Sequence, residues 1–280
     1  GSVFERGCPH KAARLRRDID AATRVGDRDA AIELSRSLCA MSGDDPWTQM
    51  ALADLLIGGS PEQASEAVGT WSQLASSPTS SVSVQGDAYV RLVMVAMQRG
   101  DRALADAFLA VARGLPLDEG DARLVAAQSI ALAHPGPSGD ALRAYFFAGA
   151  AADGAPRTAE QPEPTPLMHA QRAAAAEPTF GFAHYLVGLM QVDAGDHAAA
   201  ADALVTALRL GLPDQRFTRN AARRLAVAAF RAQDWAALAH ATAALRGTGM
   251  TAIDAALADD WDARAIHPST QNLPAPARRP

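Results

Sequence analysis

Apolar residues recur at three- and four-residue steps along most of the chain. Ala105, Leu109 and Ala112 do so in one stretch, and Ala200, Leu204 and Ala207 in another. That period marks one buried face of an amphipathic helix. Between the helical stretches a short polar phrase keeps returning. Gly26-Asp27, Gly100-Asp101, Gly139-Asp140 and Gly195-Asp196 each have an Ala five residues after the Gly. Gly59-Ser60 with Ala64, and Gln233-Asp234 with Leu238, are variants of it. The steps from one to the next are 33, 41, 39, 56 and 38 residues. A Gly accepts the left-handed angle that stops a helix, and the Asp or Ser after it caps the next one through its side-chain oxygen. The small residue at the fixed offset lets the paired helices approach closely. Gly114-Leu-Pro116 and Gly211-Leu-Pro213 close the second helix of their units. Each unit reads as a helical hairpin, and the chain as an all-α array of them.

The composition agrees. Of 280 residues, 49% are hydrophobic and only 5% aromatic, with long Ala- and Leu-rich stretches that favour helix over sheet. A net charge of −5 gives no general attraction to nucleic acid. No apolar run reaches the roughly 18 residues that cross a bilayer, and no secretion leader is visible, so a cytoplasmic protein is expected. The opening Gly1-Ser2 resembles the scar of a cleaved tag, which leaves room for a leader or a neighbouring domain ahead of it. The longest step contains Asp153-Gly-Ala-Pro-Arg-Thr-Ala-Glu-Gln-Pro-Glu-Pro-Thr-Pro166, whose prolines cannot continue a helix. The expected layout is an N-terminal segment at 1–10, helical hairpins over 11–152, a Pro-rich loop or linker at 153–166, further hairpins over 167–259, and a Pro-rich tail at 260–280. The loop either joins two lobes or projects from one continuous array.

The hairpins resemble the tetratricopeptide repeat family. Tyr185 to Pro213 carries the resemblance best, with Gly188 as the small first-helix residue, Gly195-Asp196 at the turn, Ala200, Leu204 and Ala207 in the second helix, and Pro213 at its end. Tyr89 to Pro116 and Leu15 to Gly43 are similar, and Trp47 before Met50 and Ala51 resembles the start of another first helix. The resemblance covers about residues 12–246. It departs from the family in having Leu where a large aromatic is usual in the second helix, and in steps longer than the usual repeat of about 34 residues. What it implies is an α-solenoid of stacked antiparallel hairpins, a superhelix of about 12–14 helices.

Signatures of catalysis are missing: no phosphate-binding Gly-Lys-Ser/Thr loop, no His-Glu-x-x-His, no paired cysteines at metal spacing, no nucleophile elbow. The seven histidines are scattered singly. Asp193-Ala-Gly-Asp196-His197 puts two carboxylates and an imidazole within five residues, but its sister phrases carry Arg28 and Arg102 where His197 stands, so it reads as helix punctuation with a solvent-facing His. Cys8, His10 and Cys39 supply too few ligands for a closed zinc site. The Asp and Arg residues mixed between Arg14 and Asp29 read as a solvated, ion-paired face. Neither an enzyme nor a cofactor is expected.

By the resemblance, the first helix of each pair lines a concave groove that holds a peptide or a partner's helix. It would show Phe182, Tyr185, Leu189 and Val192 on one helix, and Asn220, Arg223, Val227 and Arg231 on the next. Arg216, Arg219, Arg223 and Arg224 crowd this region, so the expected partner has a hydrophobic anchor beside an acidic or carboxylate group. The other reading of the same residues is that Phe182 and Tyr185 pack on the preceding helix and the arginines are solvated. Asn220 and Arg224 resemble part of the family's carboxylate clamp, though Phe182, Leu186 and Leu189 stand where its polar partners belong. The expected function is a scaffold or adaptor binding a protein or peptide. The alternative is a substrate-recruiting domain of a larger enzyme, as in bacterial glycosyltransferases that carry tetratricopeptide arrays.

Overall fold

The computed structural model describes residues 9–43, 45–152, 165–249 and 251–266. Among these there are fourteen helices and no strand. The chain divides into two compact units, Gly1–His169 and Ala170–Pro280. In the first, α1 (Pro9–Val25) pairs with α2 (Arg28–Ser42), α3 (Pro46–Leu56) with α4 (Pro61–Ser76), α5 (Val82–Gln98) with α6 (Arg102–Gly114), and α7 (Glu119–Ala133) with α8 (Gly136–Ala152). Helix α9 (Pro166–Ala176) crosses the division. In the second unit α10 (Gly181–Ala194) pairs with α11 (His197–Leu210), α12 (Gln215–Ala232) with α13 (Trp235–Arg246), and α14 (Ala252–Ile266) packs on α13. Each unit is a run of antiparallel hairpins in which an element touches chiefly its neighbours in sequence.

The recurring phrase does the structural work expected of it at four places. Gly26, Gly100, Gly195 and Gln233 all take left-handed angles, with φ of 77°, 70°, 78° and 59°. The Asp that follows each one caps the next helix: Asp27 accepts from the Ala30 N–H at 3.1 Å, Asp101 from Leu104 at 3.0 Å, Asp196 from Ala199 at 3.2 Å and Asp234 from Ala237 at 2.9 Å. Ala31, Ala105, Ala200 and Leu238, at the fixed offset, are fully buried. Ser60 forms a reciprocal capping box with Gln63.

Gly139-Asp140 is different. It lies inside the first turns of α8 and separates no helices; the turn falls earlier, where Gly136 has φ 69°. The physical reason is Pro137. A proline is tolerated in the first turn of a helix, where its missing N–H has no partner to lose, so α8 must begin here. Asp140 ion-pairs with Arg143 of its own helix instead of capping.

Two boundaries also move. The 153–166 segment falls outside the described residues up to position 164, and Thr165 and Pro166 then open α9, the Thr165 hydroxyl accepting the Met168 N–H at 3.3 Å. The last helix continues to Ile266, past the expected start of the tail at 260. It is held there because Arg246 of α13 donates to Asp259 at 2.8 Å and also to Asp262, which takes a second bond from Thr242.

The cores follow the hairpins. Ile32, Met50, Leu56, Trp71 and Leu92 join α2 to α5, and Val93, Leu109, Val125 and Leu132 join α5 to α7. In the second unit Ala222, Leu245 and Ala258 seat α14 against α12 and α13. Contact between α10 and α11 is close at Gly188, where a Cβ would lie 2.5 Å from Leu204 Cγ.

Candidate functional site

The Asp193–His197 phrase divides its labour. Asp196 caps α11, while Asp193 on the last turn of α10 faces Arg224 of α12 at 4.0 Å. His197 is half-buried rather than solvent-facing, and Arg28, its counterpart in the first hairpin, reaches across to the Leu55 carbonyl. Among the described residues no three His, Cys, Asp or Glu side chains converge on a metal position. The thiol of Cys39 is half-buried, donates to the Thr48 carbonyl at 3.6 Å, and is pushed up from its ordinary pKa by burial and by Asp45. That combination makes an inert thiol. Cys8 lies outside the described residues, and His10 is exposed.

In the second unit, the eight residues expected on the groove separate into two sets. Phe182 and Tyr185 are 0% and 2% exposed, so their rings have no surface to offer. Together with Phe217 they form a ring cluster, with centroids 5.3 to 5.9 Å apart, that binds α10 to α12. An aromatic triad of this kind is core. The Tyr185 hydroxyl, too deep for water, donates to Asn220 Oδ1 at 2.8 Å, which engages the amide expected to help clamp a carboxylate. Arg223 is likewise committed: its Nε and Nη2 donate to the buried Asp254 at 2.7 and 2.8 Å, joining α12 to α14. Arg223's guanidinium, with Thr251, holds the Asp254 carboxyl down at about 2. Arg216 pairs with Asp214 at 2.7 Å, and Arg219 donates to the Gly249 carbonyl at 3.0 Å. The arginine cluster therefore serves the array internally, which removes most of the charge on which an acidic partner was expected.

The second set stays accessible. Leu189 and Val192 are half-buried on α10, while Val227 and Arg231 are exposed on α12. Arg224, three residues before Val227, is about half exposed, and its approach to Asp193 brings the end of α10 alongside this stripe. Arg224, Val227 and Arg231 follow at three- and four-residue steps and so share one face of α12.

The first unit holds a surface that the motif search passed over. Helices α1 and α3 flank a cleft of about 470 Å³, floored by Ser35 and Leu38 of α2 and walled by Ile19, Ala51 and Leu55. Trp47 stands on its rim, 48% exposed, beside Asp20, Asp45, Asp54 and Arg16. From Asp54 the acidic surface continues. Arg91 of α5 is gripped by both Asp54 oxygens at 2.6 and 2.8 Å and lies 3.7 Å from Asp87. Burial pushes Asp87 up, Arg91 opposing and Asp54 and Asp118 assisting; burial and then Asp118 and Asp87 push Asp121 up. The carboxylates drift along the first helices: Asp20 and Asp54 lie toward the C-terminal ends of α1 and α3, Asp87 and Asp121 toward the N-terminal ends of α5 and α7. Asp20, Asp54, Asp87 and Asp121 follow one another at steps of 34, 33 and 34 residues, one on each of the successive first helices α1, α3, α5 and α7.

No family model matches the chain, and no curated protein matches it. Among solved structures it is similar to the TPR2AB-domain:pHSP90-complex of yeast Sti1. The identity is 12%, the likeness covers 91% of this chain and 98% of that one, and the TM-score is 0.33. Neither a partner nor a groove is transferred from it. Among the described residues no helix is long and apolar enough to cross a membrane.

Proposed function

We propose that this chain is a tetratricopeptide-like protein-interaction module that holds a segment of a protein partner against its first helices. The observation that carries the reading is Val227. It is 44% exposed in mid-helix between Arg224 and Arg231, on the helix whose Arg224 approaches Asp193 at the end of α10. On a rigid helix of such an array, an open aliphatic side chain flanked by two cations can seat an apolar and an acidic group of a partner. The reading is a segment that places an aliphatic side chain on Val227 and an acidic group near Arg231, with Leu189 and Val192 as the accessible apolar residues of the neighbouring first helix. Phe182, Tyr185, Asn220 and Arg223 support that face from beneath and do not form it.

The test is capture from native lysate by the wild-type chain and by a Val227→Glu, Arg231→Glu variant, with cross-linking mass spectrometry on the captured complexes. Both substitutions are on exposed positions, so folding should be kept. The expected result is loss of partners in the variant and cross-links on α10 and α12. Equal capture by both chains would reject this face.

A further inference from the structure

We infer that the cleft between α1 and α3 binds a small zwitterion, an aromatic amino acid or a molecule of that class, whose ring carries a hydroxyl at its far end. The site lies wholly in the first unit and takes a small molecule, so the inference stands apart from the Val227 face.

The buried end of the cleft carries the argument. Ser35 of α2 lines the recess and is 3% exposed, yet its hydroxyl has no hydrogen-bond partner among the described residues. A serine inside a helix commonly returns its hydroxyl to the carbonyl four residues back. On the same helix Ser37 does so to Glu33 at 3.0 Å, and Ser42 to Leu38 at 2.8 Å. Ser35 does not, although Ala31 stands at that spacing. Buried polar groups are almost always bonded, and this one borders a cavity from which a partner can come. The hydroxyl can both donate and accept, and Ile19, Leu38, Ala51 and Leu55 line the same recess. Its volume of about 470 Å³ is within the range that encloses a ring-bearing small molecule. The exposed indole of Trp47 at the rim offers a face on which such a ring can stack. This lining matches an apolar ring with one polar tip.

The charges at the mouth fix the other end of the ligand. Of the charged residues lining the cleft, Asp45 and Asp54 are already engaged. Asp45 caps α3, accepting from the N–H and the hydroxyl of Thr48, and Asp54 is held by Arg91. The Arg16 guanidinium and the Asp20 carboxylate have no hydrogen bond or ion pair among the described residues. Four residues apart, they stand one turn from each other on the same face of α1. The other cations of α1, Lys11, Arg14, Arg17 and Arg24, do not line the cleft. One open cation and one open anion balance, so a purely acidic or purely basic ligand leaves one of them opposed, whereas a zwitterion satisfies both. The ligand's carboxylate goes to Arg16 and its ammonium to Asp20, as charge-assisted hydrogen bonds.

The test is equilibrium dialysis of the full chain against radiolabelled L-tyrosine. Competition follows with L-phenylalanine, which lacks the hydroxyl, tyramine, which lacks the carboxylate, and 3-(4-hydroxyphenyl)propionate, which lacks the ammonium. The expected result is one bound tyrosine per chain, with each truncated analogue weaker by about tenfold or more. Ser35→Ala should bring tyrosine to within about twofold of phenylalanine, while its urea midpoint does not fall, because the hydroxyl bonds nothing in the fold. Arg16→Gln should likewise bring tyrosine to within about twofold of tyramine. Asp106→Lys, an exposed change on α6, should leave binding unaltered. The inference is overturned if tyrosine does not bind at up to about 1 mM, if phenylalanine binds as well, or if Ser35→Ala keeps the preference for tyrosine. A fall in the urea midpoint of Ser35→Ala would assign the hydroxyl to the fold and overturn it too. None of these outcomes alters the lysate capture expected of the Val227 face, so the two readings stand or fall separately.

Discussion

At Gly188 the hairpin α10–α11 is closely packed, and replacing it with Ala measures how much that closeness matters. A Cβ built at this position lies 2.5 Å from Leu204 Cγ and 2.7 Å from Cδ2, about 1 Å inside the usual carbon–carbon contact. Leu204 is fully buried and has no open space to turn into. Either the helices part or Leu204 leaves its rotamer, and overpacking of this kind costs about 1–3 kcal/mol. Against it stands the helix-propensity gain of Gly→Ala, about 1 kcal/mol. Gly188→Ala is therefore expected to destabilise by about 1 kcal/mol net. Leu204→Ala alone removes a buried side chain and should cost about 2–5 kcal/mol. In the double variant the overlap is gone and the added methyl meets open space, so the cost should fall below the sum of the singles by about 1–3 kcal/mol. Urea unfolding followed by far-ultraviolet circular dichroism gives all four corners of the cycle. Additive singles, or a Gly188→Ala protein more stable than wild type, would refute the claim that this glycine is there for helix approach.

Two further outcomes test the electrostatics and the turns. Gln233 has φ 59° where its counterparts are glycines, so Gln233→Gly should raise stability by about 0.5–1 kcal/mol in the same urea experiment, by relieving the left-handed strain. Arg223 holds the Asp254 carboxyl at about 2, below its ordinary value of 3.8. A depressed folded-state pKa contributes stability that is complete above the ordinary value and is lost as pH falls from there through about 2. Wild type should lose stability across that window, and Asp254→Asn should lose less of it on acidification while being less stable at neutral pH.

The hairpins were legible because their punctuation is local chemistry. A Gly that must turn left-handed and an Asp that must cap are set by their own few residues, and four of the six phrases behave accordingly. Gly139-Asp140 misled because the same letters occur where Pro137 had already fixed the helix start. The candidate site was less legible. Phe182, Tyr185 and Arg223 share a helix face with accessible residues, and whether a residue on that face is covered depends on what the next hairpin brings: Phe217 and Asn220 in one case, Asp254 in the other. No pattern within one helix contains that information.

The bonds that join neighbouring first helices have a kinetic consequence. Arg91 to Asp54, Gln128 to Val90, Tyr185 to Asn220 and Arg223 to Asp254 connect residues 37, 38, 35 and 31 positions apart. Each closes a loop of about one hairpin. Loop-closure entropy grows only with the logarithm of length, about 0.6 kcal/mol per doubling, and a structure assembled from such short closures has low contact order. Either unit can thus fold outward from whichever hairpin forms first, each new hairpin docking on a finished neighbour.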